Sequence, residues 1–551
     1  MLLLSLAGLF PFARGLWRGE IPGQRETPID GAHTLYVYEY VRLALTGQAS
    51  LAHADATWFP VGRPFLLGVQ NVVDAVLAAP LLGLLGPGDG LALFTALLLV
   101  SNGLAAGWLG ERVGGRGLAG PVATAVVAFS PFVWCEANVG RTTQVALVPV
   151  LLALGLAWTA TASPNTGPRR AALTGLALSL AALEYWFYGF FASVLVGALY
   201  LGGLLSRPSW HAARDLLLTA LVPALVALPF AVYVASTWVE MPGLGNESPV
   251  PNATRLGGGL PWKSGLKMAL YVPQLLALPA LLSILAPGRA RAAGLLVATV
   301  ALLGVAVGEN YTLFGVTFPT PLLLLRELPG FERFWWPHRA LAAVTVALAA
   351  LAAVSVTQGR WQRGMTLVCV GLSVVQVAIR PGELGSWKAP PTPPWDRALP
   401  KGPVLALPML DPDAGKVFLA EWASHHRPLV NGMSMWDEFL WPADYRAWVD
   451  TQPLVQALLD LERSRHHGRR TPTSHGRDRP PDGATAPTRE SSVAATQAEA
   501  LTRADVERLA DVGVVGIVAQ VDRIHPEQSR ALTRLLGAPT EGGKYRWWGV
   551  R

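Results

Sequence analysis

The sequence predicts an all-α polytopic membrane protein with about 11 transmembrane helices, followed by a small soluble α/β domain. Three observations predict it. Of 551 residues, 52% are hydrophobic and only 15% are charged, against about 25% charged in a soluble globular chain. The apolar excess is gathered into runs of roughly 17 to 22 residues, long enough to cross about 30 Å of hydrocarbon. Beyond Arg380 the runs shorten and alternate with polar, helix-like stretches.

The first span is the opening run MLLLSLAGLFPFARGL, which lacks the basic n-region and small-residue cleavage site of a signal peptide. Ten further spans follow at 91–109, 118–134, 145–162, 171–186, 187–205, 216–236, 266–286, 292–308, 339–356 and 362–379. Alternate turns carry paired arginines: Arg112 and Arg116, Arg169 and Arg170, Arg207 and Arg214, Arg289 and Arg291, Arg360 and Arg363. Arginine-rich turns stay in the cytoplasm, so the N-terminus is expected inside and the C-terminal region outside. The formal charge of +7 is thereby spent on topology, and no nucleic-acid partner is implied. Many of the 20 tryptophans fall near span ends, as in an aromatic belt. Cys135 and Cys369 form neither a metal spacing nor a disulfide framework.

Residues 1–380 form the transmembrane domain, with a first outer loop at 13–65. Phe65 to Gly86 is long enough to span, but counting it breaks the alternation. Gln70, Asn71 and Asp74 share one helical face. This segment therefore reads as a juxtamembrane helix lying on the outer surface, with a twelfth span and an outside N-terminus as the alternative. Two more outer loops cover 237–265 and 309–338. Residues 381–400, including APPTPPWDRALP, read as an extended Pro-rich linker. Residues 401–551 read as the soluble α/β domain. GPVLALPML and VVGIVAQV are its buried strands, and AWVDTQPLVQALLDLE and LTRADVERLADVG are helices. Thr502 and Asp505 supply a cap. A polar insertion at about 463–500 has a disordered composition, and its His466, His467 and His475 lack metal-ligand spacing.

Ionisable residues near apolar spans are costly and mark functional sites. Here Asp30, His33, Asp55, Glu136, Glu184, Glu309, Arg333, His338 and Arg339 all fall at one level, the outer membrane–water interface. A secondary transporter places its sites near the midplane; an enzyme acting on a lipid-borne headgroup collects them at the interface. The pattern favours the enzyme. Each residue also has a structural alternative: Asp30 as a helix cap, Glu136 as a loop acid, Glu184 as the structural partner of a nearby arginine, and Arg333, His338 and Arg339 as interfacial anchors.

The pieces WFPVGRPFLL, GWLGERVGGRGLAGPVATAVVAFSPF and LPGFERFWWPHRALAAV, in this order and following an acid soon after a first span, resemble the GT-C superfamily of polyprenyl-phosphate-sugar-dependent glycosyltransferases. The resemblance covers most of residues 1–380. It implies sugar transfer from a polyprenyl-phosphate donor to a glycan or secreted acceptor, at the outer face of a bacterial inner membrane, with the C-terminal domain periplasmic. It also implies that Asp30 is the catalytic base and Glu136, in the next outer loop, a second acid. The sequence departs from the pattern in lacking a paired Asp-Asp or Asp-x-Asp. No cofactor is therefore assigned, and a divalent metal is left open without a ligand set. The leaving phosphate calls for guanidinium partners, here Arg339, Arg333 and Arg141, with His33, Glu184 and His338 as substrate-binding candidates. The alternatives are a catalytically silent scaffold with the same fold, or a transporter or flippase of a lipid-linked intermediate.

Overall fold

The structure, a computed structural model, describes residues 1–23, 29–68, 72–162, 168–206, 208–237, 274–285, 289–308, 310–313, 316–325, 328, 337–378, 384–431, 441–467 and 489–550. Its contacts divide the chain into two units. One comprises Met1–Thr46, Leu67–Ser236 and Glu247–Lys388; the other comprises Gly47–Leu66, Thr237–Asn246 and Ala389–Arg551.

The first unit is a helical bundle. Among the described residues, seven helices are long and apolar enough to cross a membrane: Pro87–Gly114, Ala119–Asn138, Thr142–Ala162, Trp186–Ser206, Trp210–Tyr233, Ala290–Val307 and Pro337–Val356. The expected spans 171–186 and 362–379 are also helical, as Pro168–Glu184 and Arg360–Ala378. The expected span 266–286 lies partly outside the described residues. Every residue of Leu341–Val356 is buried, so this alanine-rich helix occupies the bundle centre. Small side chains there let neighbouring backbones approach, which is how helices associate when lipid is as apolar as they are. Gly110 shows the same constraint, because a Cβ there would sit 2.4 Å from the Ala119 carbonyl oxygen.

Two local breaks place the polar groups. Ser130 interrupts the second long apolar stretch and its hydroxyl accepts the Val133 N–H. Pro131 then opens the short helix Pro131–Asn138, as Ser at the cap and Pro in the first turn favour. That helix ends at Gly140, which adopts φ +81°, a left-handed conformation that glycine takes at little cost. The reversal returns the chain so that the Arg141 N–H meets the Glu136 carbonyl at 3.0 Å.

One expectation is corrected here. The segment read as an interfacial helix is Phe65–Gly68 followed by Val72–Leu85, and Asp74 does not face water. It is only 2% exposed because its carboxylate is bonded inside the bundle. A polar position on an apolar helix can mark an internal hydrogen-bond face as well as a wet one. Gln70 and Asn71 lie outside the described residues.

The second unit is a small α/β domain. Its four strands run in the order Val404–Leu407, Gly516–Gln520, Tyr545–Gly549, Thr540–Gly542. The first pair is parallel and the others antiparallel. Val404–Leu407 and Gly516–Gln520 are buried throughout, as continuous apolar runs in a covered parallel pair require. Thr502 and Asp505 form a reciprocal capping box on Arg503–Asp511.

Two pieces expected elsewhere belong to this unit. Residues 47–66 fold into it: Leu429 donates its N–H to the Ala56 carbonyl, and the Phe59 N–H returns to the Leu429 carbonyl. Trp58 is fully buried with Leu405, Leu407, Val430 and Tyr445. The end of the Pro-rich stretch is not an extended linker either. Pro394–Ala398 is a short helix, Trp395 is fully buried, and Asp396 pairs with the enclosed guanidinium of Arg427. In the expected insertion, helices Pro453–His467 and Arg489–Ala500 flank residues 468–488, which lie outside the described set.

Candidate functional site

The helix Ile29–Leu45 carries Asp30 in its first turn. The Thr34 hydroxyl lies within hydrogen-bond reach of the Asp30 carbonyl at 2.9 Å and of the Gly140 carbonyl at 3.2 Å. The turn after Gly140 is thereby set beside the start of the Asp30 helix. Across this junction Arg141 donates Nε–H to Asp30 Oδ2 at 2.7 Å and Nη1–H to Glu136 Oε2 at 3.3 Å. His338 Nε2 stands 3.7 Å from the other Glu136 oxygen. Next to it, Arg339 donates to the Tyr185 hydroxyl and lies over that ring, 5.0 Å from its centroid. Tyr185 packs edge-on against Tyr188 at 5.1 Å, and the Tyr188 hydroxyl donates to the Gln144 carbonyl at 2.6 Å.

The structure therefore joins Asp30, Glu136, Arg141, His338 and Arg339, from three separate stretches of sequence, in one cluster. Exposure is graded across it: the side chain of Asp30 is 34% exposed, Arg141 17% and Glu136 1%. This grading separates the two acids. Asp30 is open enough to meet a substrate hydroxyl, whereas Glu136 is enclosed and holds Arg141 from behind. Glu136, expected as a second catalytic acid, is thus the enclosed partner of Arg141. Arg141 turns out to be the centre of the site, since it spans both acids.

The other expected residues divide. Glu184 is 2% exposed, and its Oε2 accepts the backbone N–H of Asp74 at 3.0 Å. That bond points inward, and its partner is Asp74 rather than the arginine of the structural alternative. His33 lies along the Tyr36 ring, with centroids 6.4 Å apart. Arg333 and Glu309 lie outside the described residues. Among the described residues, no group of three or more His, Cys, Asp or Glu comes together in a form that could hold a metal ion. Sequence reasoning missed Tyr185, which the aromatic run LEYWFYG contains but which only the fold sets under Arg339.

No family model and no curated protein matches the sequence. Solved structures do. The mycobacterial arabinofuranosyltransferase AftD superposes with a TM-score of 0.55 at 16% identity, over 100% of this chain and 39% of that one. The apo oligosaccharyltransferase of Archaeoglobus fulgidus superposes with a TM-score of 0.50 at 12% identity, over 94% of this chain and 69% of that one. Both are GT-C glycosyltransferases. The chain has the GT-C fold. At these identities the likeness is one of fold, and the chain spans only 39% of the length of the arabinofuranosyltransferase. On the GT-C scaffold the charged cluster occupies the region where the first long loop helix meets the turn between two apolar helices.

Proposed function

We propose that this protein is a membrane glycosyltransferase that moves a sugar from a polyprenyl-phosphate donor to an acceptor hydroxyl at the outer face of a bacterial inner membrane. The observation that carries the reading is the Asp30–Arg141–Glu136 arrangement within a GT-C fold: an accessible carboxylate tied to a guanidinium that an enclosed carboxylate anchors. The glycosyltransferase names of the two structural neighbours support the reaction class.

In the proposed step the acceptor oxygen bonds to the anomeric carbon as the bond from that carbon to the phosphate oxygen breaks. The electron pair leaves with the phosphate, and the acceptor proton passes to Asp30. A positioned carboxylate contributes about 10²–10⁴-fold to such a transfer. In the structure Asp30 is engaged by Arg141. An arriving phosphate would compete for the same guanidinium and release Asp30. Arg141 would then serve both partners in turn, with Arg339 adding a second cation for the leaving group. Arg333 remains a candidate third cation on sequence grounds.

The donor lipid would lie against the apolar helices. The double-arginine turns support eleven spans, an inside N-terminus and a C-terminal unit on the outer side. The reading is tested by sugar transfer from a polyprenyl-phosphate sugar in membranes holding equal amounts of wild type and Asp30→Asn. Loss of transfer in the variant supports an enzyme; undiminished transfer removes Asp30 from the mechanism. Absence of transfer from any donor by the wild type would favour the catalytically silent scaffold.

A further inference from the structure

Behind the charged cluster lies a second polar group that the proposed chemistry does not use. Asp74 Oδ2 accepts the Tyr38 hydroxyl and, at 2.9 Å, the Thr143 hydroxyl. Its Oδ1 accepts the Ala75 N–H at 2.8 Å, and its own N–H goes to Glu184 Oε2 at 3.0 Å. All four side chains are enclosed, with exposures of 0% for Tyr38, 2% for Asp74, 4% for Thr143 and 2% for Glu184. Burying an acid is expensive, and three donors to one carboxylate offset that cost only if each is held in place.

The donors are distributed in a telling way. Tyr38 lies on the Ile29–Leu45 helix that presents Asp30. Thr143 lies two residues after Arg141, in the short helix Thr142–Val145. Glu184 directly precedes Tyr185, the partner of Arg339. Asp74 is thus bonded to each of the three stretches that supply Asp30, Arg141 and the Tyr185–Arg339 pair, through its carboxylate to Tyr38 and Thr143 and through its backbone N–H to Glu184.

We infer that Asp74 is a positioning residue: through Thr143 and Tyr38 it fixes the register between the Arg141 turn and the Asp30 helix, and so the reach of Arg141 between Asp30 and the donor phosphate. The inference rests on the proposed role of Arg141. The alternative is a packing role, in which volume rather than hydrogen bonding matters at these positions.

Asp74→Asn is the direct variant, but its amide NH2 must face either the two enclosed hydroxyls or the Ala75 N–H, and it risks misfolding. Thr143 gives a cleaner pair. Thr143→Val keeps the shape and removes the hydroxyl; Thr143→Ser keeps the hydroxyl and removes a methyl group. The readout is modification of Arg141 by phenylglyoxal in the full-length protein in detergent micelles, measured by mass spectrometry against the exposed Arg530 as internal reference. Losing one buried hydrogen bond corresponds to roughly a fivefold change in an equilibrium. Arg141 labelling should therefore rise about fivefold in Thr143→Val and stay near wild type in Thr143→Ser. If Thr143→Val labels like wild type, or if Thr143→Ser labels as fast as Thr143→Val, the positioning role is wrong. Because labelling needs no turnover, it stands apart from the sugar-transfer assay. An inert Asp30→Asn substitution would sink the proposed reaction while leaving the labelling result to be read by itself.

Discussion

At the scale of single residues, the central feature is a guanidinium shared by two unlike acids. Removing one partner of an enclosed ion pair leaves the other charge uncompensated and costs about 3–5 kcal/mol. Glu136 is the enclosed member, so Arg141→Gln should lower the melting temperature of the protein in detergent far more than a surface substitution does. Neutralising Glu136 first removes the stranded charge. In a Glu136→Gln background the same Arg141→Gln change should therefore cost much less. Equal losses in both backgrounds would show that the two side chains are not coupled. Another buried acid sets a pH dependence outside the bundle. Glu462 accepts the N–H groups of Met409 and Leu410 at 2.9 and 2.6 Å and the Gln528 amide at 2.8 Å. Burial nevertheless pushes its carboxyl up to about 7. A raised folded-state value means the folded form binds the proton more readily than the unfolded form. Its contribution is complete below the ordinary glutamate range of about 4.3 and is lost as pH rises through about 7. The C-terminal unit should thus lose stability between pH 5 and 8, and Glu462→Gln should flatten that part of the melting profile. An unchanged slope in the variant would assign the effect to other groups.

At the scale of elements, what the sequence made legible and what it hid follow from the range of the interactions. The strands at Val404–Leu407 and Gly516–Gln520 announce themselves as short apolar runs, and the capping box at Thr502 is a signal three residues long. These are local features. The juncture of Asp30 with Arg141 is not, because it joins positions 111 residues apart. The two acids could be named as candidates from their nearness to span ends, but their unequal exposure is decided only by packing. Asp74 shows the limit most clearly. Helical periodicity marks its position as polar, yet periodicity cannot tell a side chain turned to water from one turned to Tyr38 and Thr143. Likewise, nothing in WFPVGRPF marks Trp58 as a core residue of a unit whose strands begin more than 300 residues later. That assignment comes from the backbone bonds of Ala56 and Phe59 to Leu429.

At the scale of the whole molecule, composition sets the apolar helices apart from the α/β unit, but it does not show that residues 47–66 group with the latter. The proposed orientation rests on the five double-arginine turns, whose cytoplasmic placement would put residues 390–400 on the outer side. Cysteines introduced singly at exposed positions of this stretch should react with a membrane-impermeant maleimide in intact spheroplasts. Reaction only after the membrane is opened would invert the topology. The proposed outer placement matters because it would set the charged cluster where a lipid-borne sugar and a secreted acceptor could both reach it. The account as a whole depends on Asp30 taking a proton there. The most direct measurement is sugar transfer from a polyprenyl-phosphate donor by Asp30→Asn, at protein levels matched to wild type. The variant keeps the size of the side chain and a hydrogen-bonding oxygen for Arg141, but it cannot act as the base. Transfer should fall by about two to four orders of magnitude with the melting temperature little changed. Transfer at the wild-type rate by a folded Asp30→Asn protein would contradict the account.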